Sequence, residues 1–216
     1  MAHDLVIFDC DGVLVDSEPL SNRILAERLT AIGLPTTTEE SIRDYMGRSW
    51  KTDQEIIEGR LGRPLPEGWV DAYHAEVIAA FERELEPVAG IAAALDAIDA
   101  PTCVASSSAH PRIRAALAAT GLLARFEGRI FSATDVEHGK PAPDLFLHAA
   151  AAMGAAPART LVVEDSVTGV RAGKAAGMTV WGFVGGSHYA GRDGAGMLAG
   201  AGADRVFGVI GDLAGL

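Results

Sequence analysis

The sequence is poor in cysteine, with only Cys10 and Cys103 among its 216 residues. Their spacing matches no zinc-binding motif, and both lie in or beside predicted strands. We therefore interpret them as small core residues rather than as a disulfide, which is the usual state of cysteines in a reducing compartment.

Long apolar runs and a leader-like start are also lacking. No stretch approaches the roughly 18 to 20 uninterrupted apolar residues that are needed to cross a bilayer. Asp4 stands close to the start and a predicted strand follows it at once, which is not the pattern of a signal peptide. We expect a cytoplasmic protein that does not enter a membrane.

Positive charge is scarce, because 18 lysines and arginines face 29 acidic residues and the net charge is −11. Nucleic acids and anionic membranes are bound by lysines and arginines clustered on one face, and no such cluster occurs. The chain also has no Walker-type G-x-x-x-x-G-K motif and no strand that leads into G-x-G-x-x-G. We expect a small-molecule ligand and a monomer.

What the sequence does contain is an alternation of short apolar runs with helical patterns. Apolar residues make up 49% and charged residues 22%, as in ordinary globular proteins. Strands are predicted at residues 5–8, 102–105, 130–131, 161–163 and 180–184, with helices between the last four. This order predicts an α/β fold with a Rossmann-like parallel sheet covered by helices on both faces.

Residues 17–86 carry no strand signal and form a separate helical block. Apolar residues at three- and four-residue spacing predict a helix that ends near Gly33, followed by helices at 39–46, 53–61 and 69–84. Thr38 is the predicted N-cap of the second helix. We interpret 17–86 as an all-helical cap inserted into a core made of residues 1–16 and 87–216.

The first strand ends abruptly in acid, at Asp9-Cys10-Asp11-Gly12. Because side chains alternate along a strand, Asp9 and Asp11 share one side of the chain and Cys10 points away into the packing. Two carboxylates this close repel each other unless a cation or a shared proton compensates. Taken alone, D-x-D-G is also an ordinary turn sequence.

Three later stretches place polar side chains at the same edge of the predicted sheet. Ser106 follows the second strand, Lys140-Pro141 follows the third, and Glu164-Asp165 ends the fourth. Carboxylates from two strands form a set of hard oxygen ligands that suits Mg²⁺ better than zinc. A serine hydroxyl and a lysine ammonium are suitable donors to a phosphate.

These four stretches resemble the motifs of the haloacid dehalogenase-like (HAD) hydrolase superfamily. The stretches, in chain order, are residues 9–17 (DCDGVLVDS), Ser106, residues 140–144 (KPAPD) and residues 163–169 (VEDSVTG). The helical insertion resembles the small cap of the β-phosphoglucomutase and sugar-phosphate phosphatase branch. Each motif is weak alone, but together they are specific.

The resemblance implies a phosphoryl-transfer site. Asp9 would attack phosphorus and form an aspartyl-phosphate, while Asp11 would protonate the leaving oxygen and later activate water. Mg²⁺ would be held by Asp9, by the main-chain carbonyl of Asp11, by Asp165 and, through water, by Glu164.

The resemblance also implies residues that bind the transferring phosphate. Ser106 and Lys140 would stabilise its charge, and backbone N–H groups after Asp9 and after Ser106, the latter at Ser107, would add donors. The expected function is that of a Mg²⁺-dependent phosphatase acting on a small phosphorylated metabolite of the sugar-phosphate or phosphogluconate type.

Two other functions stay open at this point. A β-phosphoglucomutase-like mutase is disfavoured because residues 18–22 lack a histidine. In addition, Arg48 comes too early in the cap loop to match the arginine expected of a mutase, and Trp50 takes the aligned place. A non-catalytic phospho-ligand sensor is disfavoured because both Asp9 and Asp11 are present. In the cap loop, Arg48 and Lys51 would bind an anionic tail and Trp50 would stack on a sugar; alternatively they are exposed charges and a packing aromatic.

Overall fold

A computed structural model describes residues 3–46 and 50–214 of the chain. Six strands form one parallel sheet: β1 (Leu5–Phe8), β2 (Thr102–Ser106), β3 (Ile130–Ser132), β4 (Thr160–Glu164), β5 (Thr179–Phe183) and β6 (Arg205–Phe207). Their order across the sheet is β3-β2-β1-β4-β5-β6, so β1 lies between β2 and β4. The predicted Rossmann-like fold is confirmed.

Ten α-helices accompany this sheet within the described residues. Four come between β1 and Pro87: α1 (Glu18–Ala31), α2 (Thr38–Tyr45), α3 (Trp50–Leu61) and α4 (Trp69–Glu84). The other six are α5 (Ile91–Asp96), α6 (His110–Ala119), α7 (Leu123–Phe126), α8 (Asp144–Ala152), α9 (Val167–Ala175) and α10 (Gly194–Gly200). None of the helices in the described ranges is long and apolar enough to cross a membrane.

The central strand is buried on both sides because every residue in it is apolar. Val6 and Phe8 pack into a cluster that includes residues of α1, α4, α6 and α7. Leu5 and Ile7 pack into a second cluster with residues of α8, α9 and α10. Burying both faces fixes the position of the strand end, and therefore of Asp9, relative to the neighbouring strands.

The two connections between the sheet and the helical segment run side by side. Val15 forms an antiparallel bridge with Pro87, the N–H of Asp16 donates to Glu86 O at 3.0 Å, and the N–H of Val88 donates to Leu14 O at 3.0 Å. The chain therefore leaves and re-enters the sheet at one place, beside the end of β1.

Several element boundaries differ from prediction. The N-cap of α2 is Thr37 and not Thr38, because Thr37 Oγ1 accepts from the N–H of Glu40 while the Glu40 carboxylate accepts from the N–H of Thr37. Helix α3 starts at Trp50 rather than at residue 53, and the Trp50 ring stacks against Tyr73 with centroids 5.2 Å apart. Helix α7 and strand β6 were not predicted because such short elements carry little periodicity.

Candidate active site

Polar residues from three adjacent strands meet at the carboxyl edge of the sheet. Asp9 directly follows β1, Ser106 ends β2, and Glu164 and Asp165 come at the end of β4. The loop between β3 and α8 brings Lys140 to the same place, where its peptide bond to Pro141 is cis. All five of these polar side chains belong to buried residues. The convergence expected from the sequence is present.

Three carboxylates form the centre of this cluster. One oxygen from each of Asp9, Glu164 and Asp165 lies within 4.8 Å of the others. Burial raises the pKa of Asp9 well above its ordinary value; Lys140 opposes the rise and Glu164 adds to it. Burial, reinforced by Glu164, likewise raises the pKa of Asp165. These buried oxygens carry more negative charge than Lys140 can balance. They are therefore a suitable donor set for a hard divalent cation.

Lys140 is committed to the carboxylates. Its Nζ donates to Asp9 Oδ1 at 2.6 Å, to Glu164 Oε1 at 2.7 Å and to Ala105 O at 3.1 Å, which uses all three of its N–H groups. Burial alone lowers the pKa of the ammonium, but Asp9 and Glu164 outweigh this effect and raise it. Lys140 therefore stays charged and holds together the groups that flank the predicted phosphate position.

Asp11 occupies a different environment, in which three donors surround its carboxylate. Ser17 Oγ donates to Oδ1 at 2.5 Å, Ser108 Oγ donates to Oδ2 at 2.8 Å, and Arg112 Nη2 donates to Oδ1 at 3.0 Å. Burial raises the pKa of Asp11, but the charge of Arg112 and the hydrogen bonds from Ser17 and Ser108 outweigh it, so the net shift is downward. The two aspartates of the D-x-D motif therefore have pKa values displaced in opposite directions.

The serines after β2 lie beside these aspartates. Ser106 is buried, and its Oγ accepts from the N–H of Ser108 at 3.1 Å. Ser107 is half-buried and lines the same cavity as Ser106 and Ser108. This turn brings the Ser108 hydroxyl to Asp11.

Two glycines allow the carboxylates to approach the backbone closely. Gly12 has φ of +81°, and a Cβ atom added there would lie 1.9 Å from Asp165 Oδ2. A Cβ added to Gly169 in α9 would lie 1.7 Å from Glu164 Oε1. Glu164 Oε2 also accepts from the N–H and the Oγ of Ser166. Any larger residue at either glycine would displace a candidate metal ligand.

His188 contacts the site although no neighbouring residue in the sequence indicates a partner for it. It is buried, and its Nε2 lies 3.1 Å from Asp165 Oδ2 although neither ring nitrogen makes a hydrogen bond within the described residues. Burial lowers the pKa of its imidazole. The hydroxyl of the next residue, Tyr189, donates to Asp165 O.

A cavity of about 120 Å³ lies between the cluster and helices α1–α4. Its wall on the helical side includes Glu18, whose pKa burial raises to about 7, and Trp50, which stacks on Tyr73. Lys51 is exposed and does not line this cavity in the described part of the chain. Arg48 lies outside the described residues.

Sequence reasoning also missed Ser108 and Arg112, both of which contact Asp11. Ser108 ends the Ser106-Ser107-Ser108 run, and a count of hydroxyls after β2 offered some signal for it. Arg112 lies in the first turn of α6, where an arginine is common at a surface, and nothing local indicates its partner.

Comparisons with known proteins agree with this geometry. The haloacid dehalogenase-like hydrolase model matches residues 3–177. The chain is 34% identical over 186 residues to a 6-phosphogluconate phosphatase of Escherichia coli, covering 86% of this chain and 84% of that protein. It is 31% identical over 178 residues to a fructose-1-phosphate phosphatase of the same organism, covering 80% and 92%.

A solved structure extends the likeness to nearly the whole chain. The haloacid dehalogenase-like protein from Agrobacterium tumefaciens is 38% identical, superposes with a TM-score of 0.84, and covers 98% of this chain and 96% of its own. The order of the motifs, the strands that carry them and the extent of these matches lead to one conclusion. The chain belongs to the haloacid dehalogenase-like hydrolase family.

Proposed function

We propose that this chain is a Mg²⁺-dependent phosphatase that hydrolyses a small phosphorylated metabolite through a phosphoryl group on Asp9. The observation that carries the proposal is the cluster of Asp9, Glu164, Asp165 and Lys140 directly beside the separately held Asp11. A buried carboxylate nucleophile and a second carboxylate with its own donors are what a two-step displacement requires.

In the first step, Asp9 attacks phosphorus and the bond from phosphorus to the ester oxygen breaks. Asp11 gives a proton to the departing oxygen, so that the product leaves as an alcohol. The donors around Asp11 favour its ionised form. A phosphate dianion placed beside Asp11 would raise its pKa and favour the protonated form, which is the form that acts as the acid. In the second step, Asp11 takes a proton from the water that attacks phosphorus, the bond between phosphorus and the Asp9 oxygen breaks, and inorganic phosphate leaves with Asp9 restored as a carboxylate.

The residues that would hold Mg²⁺ are Asp9, Asp165, the main-chain carbonyl of Asp11 and, through water, Glu164. The buried triad has the ligand chemistry for this ion, and burial, the main cause of the raised pKa values of Asp9 and Asp165, disfavours their negative charge unless a cation lies beside them. When bound, the ion would neutralise negative charge on the phosphoryl oxygens. Ser106, Ser107 and the main-chain N–H groups after Asp9 would bind the remaining oxygens.

We further propose that residues 17–86 act as a cap that selects the leaving group. In support, helices α1, α3 and α4 contribute Glu18, Trp50 and Tyr73 to the wall opposite the carboxylates. The two curated relatives act on 6-phosphogluconate and fructose 1-phosphate. A sugar phosphate or an aldonic acid phosphate is therefore the substrate class proposed for this chain.

The test is release of inorganic phosphate from a panel of sugar phosphates and 6-phosphogluconate, with Mg²⁺ or with EDTA. We expect turnover that needs Mg²⁺ and that falls at least 1,000-fold, on the order of the loss when a nucleophile is removed, in Asp9→Asn. Binding without phosphate release across the panel would indicate a sensor. Conversion of β-glucose 1-phosphate to glucose 6-phosphate without release would indicate a mutase.

A further inference from the structure

Arg112 is a core residue that touches the helical segment in two places. Its Nη2 donates to Asp11 Oδ1 at 3.0 Å and to Ser21 Oγ at 3.0 Å, and its guanidinium carbon lies 5.0 Å from the centre of the Phe81 ring. Ser21 belongs to α1 and Phe81 to α4, whereas Arg112 itself is on α6. One side chain thus joins Asp11 to both helices that flank the connections to the sheet.

No other described cation can take over this contact. Among the described residues that line the active-site cavity, the lysine and arginine side chains are Lys140 and Arg112. Lys140 is occupied by Asp9, Glu164 and a main-chain oxygen. The positive charge on the Asp11 side of the cavity therefore comes from Arg112.

The geometry uses the shape of a guanidinium as well as its charge. A planar guanidinium can stack its face on an aromatic ring while its edge donates to a carboxylate and a hydroxyl, whereas an ammonium has no planar face to stack. Arg112 is 19% exposed and the Asp11 side chain 12%, so water competes weakly for these contacts. Ser17 and Ser108 each hold one oxygen of the Asp11 carboxylate by a hydrogen bond. Arg112 adds a third hydrogen bond, to Oδ1, that further restrains the orientation of the carboxylate.

We propose that Arg112 is a positioning residue, which aims the Asp11 carboxyl group at the leaving oxygen and links that aim to the placement of α1 and α4 against α6. The inference rests on the acid–base role proposed for Asp11. Arg112 itself does not exchange a proton in this scheme; it acts through Asp11.

The experiment measures kcat/KM for a series of substituted phenyl phosphates from phenyl to p-nitrophenyl, with Mg²⁺. This ratio reports only the steps up to departure of the leaving group. A basic leaving group needs a proton and a weakly basic one does not. For Arg112→Ala, we expect a loss of about 100-fold with phenyl phosphate, the lower end of what a placed general acid contributes, and much less with p-nitrophenyl phosphate. The same steeper dependence of kcat/KM on the basicity of the leaving group should appear in Asp11→Asn.

Arg112→Lys provides the conservative variant and guards against misfolding of the alanine variant. It keeps the charge but has a shorter side chain and no planar face to stack on Phe81, so we expect the same leaving-group pattern with a smaller loss. Arg114→Ala is the matched control, because Arg114 lies on the same helix and pairs with exposed Glu127. It should leave both kcat/KM values and their ratio unchanged. Inhibition by inorganic phosphate should be equal in all variants.

Equal losses for every leaving group would show a merely structural role and would overturn the inference. So would wild-type rates in Arg112→Lys, or weaker inhibition by phosphate as the main defect. If kcat/KM depends more steeply on leaving-group basicity in Asp11→Asn but not in Arg112→Ala, the inference on Arg112 fails while the proposed function stands. If the wild type hydrolyses none of the esters and none of the sugar phosphates, the proposed function fails with it.

Discussion

Replacing Lys140 by methionine should destabilise the protein far more than replacing an exposed lysine that makes an equally short ion pair. Lys140 is 2% exposed in its side chain, and its partners Glu164 and Asp9 are 1% and 10% exposed. Methionine fills a similar volume, so the main change is the loss of the charge that compensates two buried carboxylates. Breaking a buried pair in this way costs about 3–5 kcal/mol of the free energy of unfolding.

The control is Lys174→Met. Lys174 also lies 2.7 Å from a carboxylate, that of Asp204, but the two side chains are 36% and 42% exposed. Such a pair is worth about 0–1 kcal/mol. Both variants would be unfolded in urea at neutral pH in EDTA, and again with Mg²⁺.

We expect the Lys140→Met loss to shrink when Mg²⁺ is added, because a cation bound by Asp9 and Asp165 supplies positive charge to the same cluster. The loss should also shrink as the pH falls, because protonation removes the uncompensated charge. A Lys140→Met protein within about 1 kcal/mol of the wild type in EDTA, or no different from Lys174→Met, would refute the electrostatic reasoning.

Three further predictions concern pH, backbone space and helix capping. In EDTA, burial holds the folded pKa of Asp9 above 3.8, its ordinary value, whereas Asp11, Asp44 and Asp204 have lowered pKa values. The free energy of unfolding of the wild type relative to Asp9→Asn should therefore rise as the pH falls through the folded pKa of Asp9 and level off below 3.8; a constant difference between the two proteins in a urea titration series would contradict this. Gly12→Ala should weaken Mg²⁺ binding measured by calorimetry at least tenfold, equal to about 1.4 kcal/mol, because the added methyl group meets Asp165, and unchanged affinity would show that the backbone can yield. Thr37→Ala should cost about 1 kcal/mol in urea unfolding while Thr38→Ala costs less; the reverse order would support the N-cap predicted from the sequence.

Much of the site could be predicted because its residues follow strands directly. The run from Leu5 to Phe8 identifies a strand that is buried on both faces. Asp9 directly follows this strand and must therefore lie at the edge of the sheet. The same reasoning places Ser106, Glu164 and Asp165. In each case the position depends on the local sequence and on the order of parallel strands, both of which are visible without coordinates.

The residues that were missed depend on contacts between distant parts of the chain. Arg112 meets Asp11 across 101 positions, and whether it does so depends on how α6 packs against α4. His188 comes from a glycine-rich stretch that reads as an irregular loop, and its approach to Asp165 requires the missing side chain of Gly12. Short-range periodicity carries no information on either contact.

The start of α3 illustrates the same limit for secondary structure. Residues 47–51 combine a glycine, a serine and charged residues, which favours a loop. Trp50 is nevertheless helical, and its ring packs between Trp69, Tyr73 and His74 of α4. Tertiary packing of one large side chain outweighs a weak local preference.

The most direct test of the account is to trap the phosphoryl group on Asp9. Asp11→Asn would be mixed with Mg²⁺ and ³²P-labelled p-nitrophenyl phosphate, whose weakly basic leaving group departs without a proton from Asp11, then quenched in acid, digested and mapped. Because this variant lacks the base for hydrolysis of the intermediate, we predict a hydroxylamine-sensitive label on the peptide that contains Asp9, and none after Asp9→Asn. Label on another residue, or turnover by Asp11→Asn with no labelled peptide at any time, would contradict the mechanism.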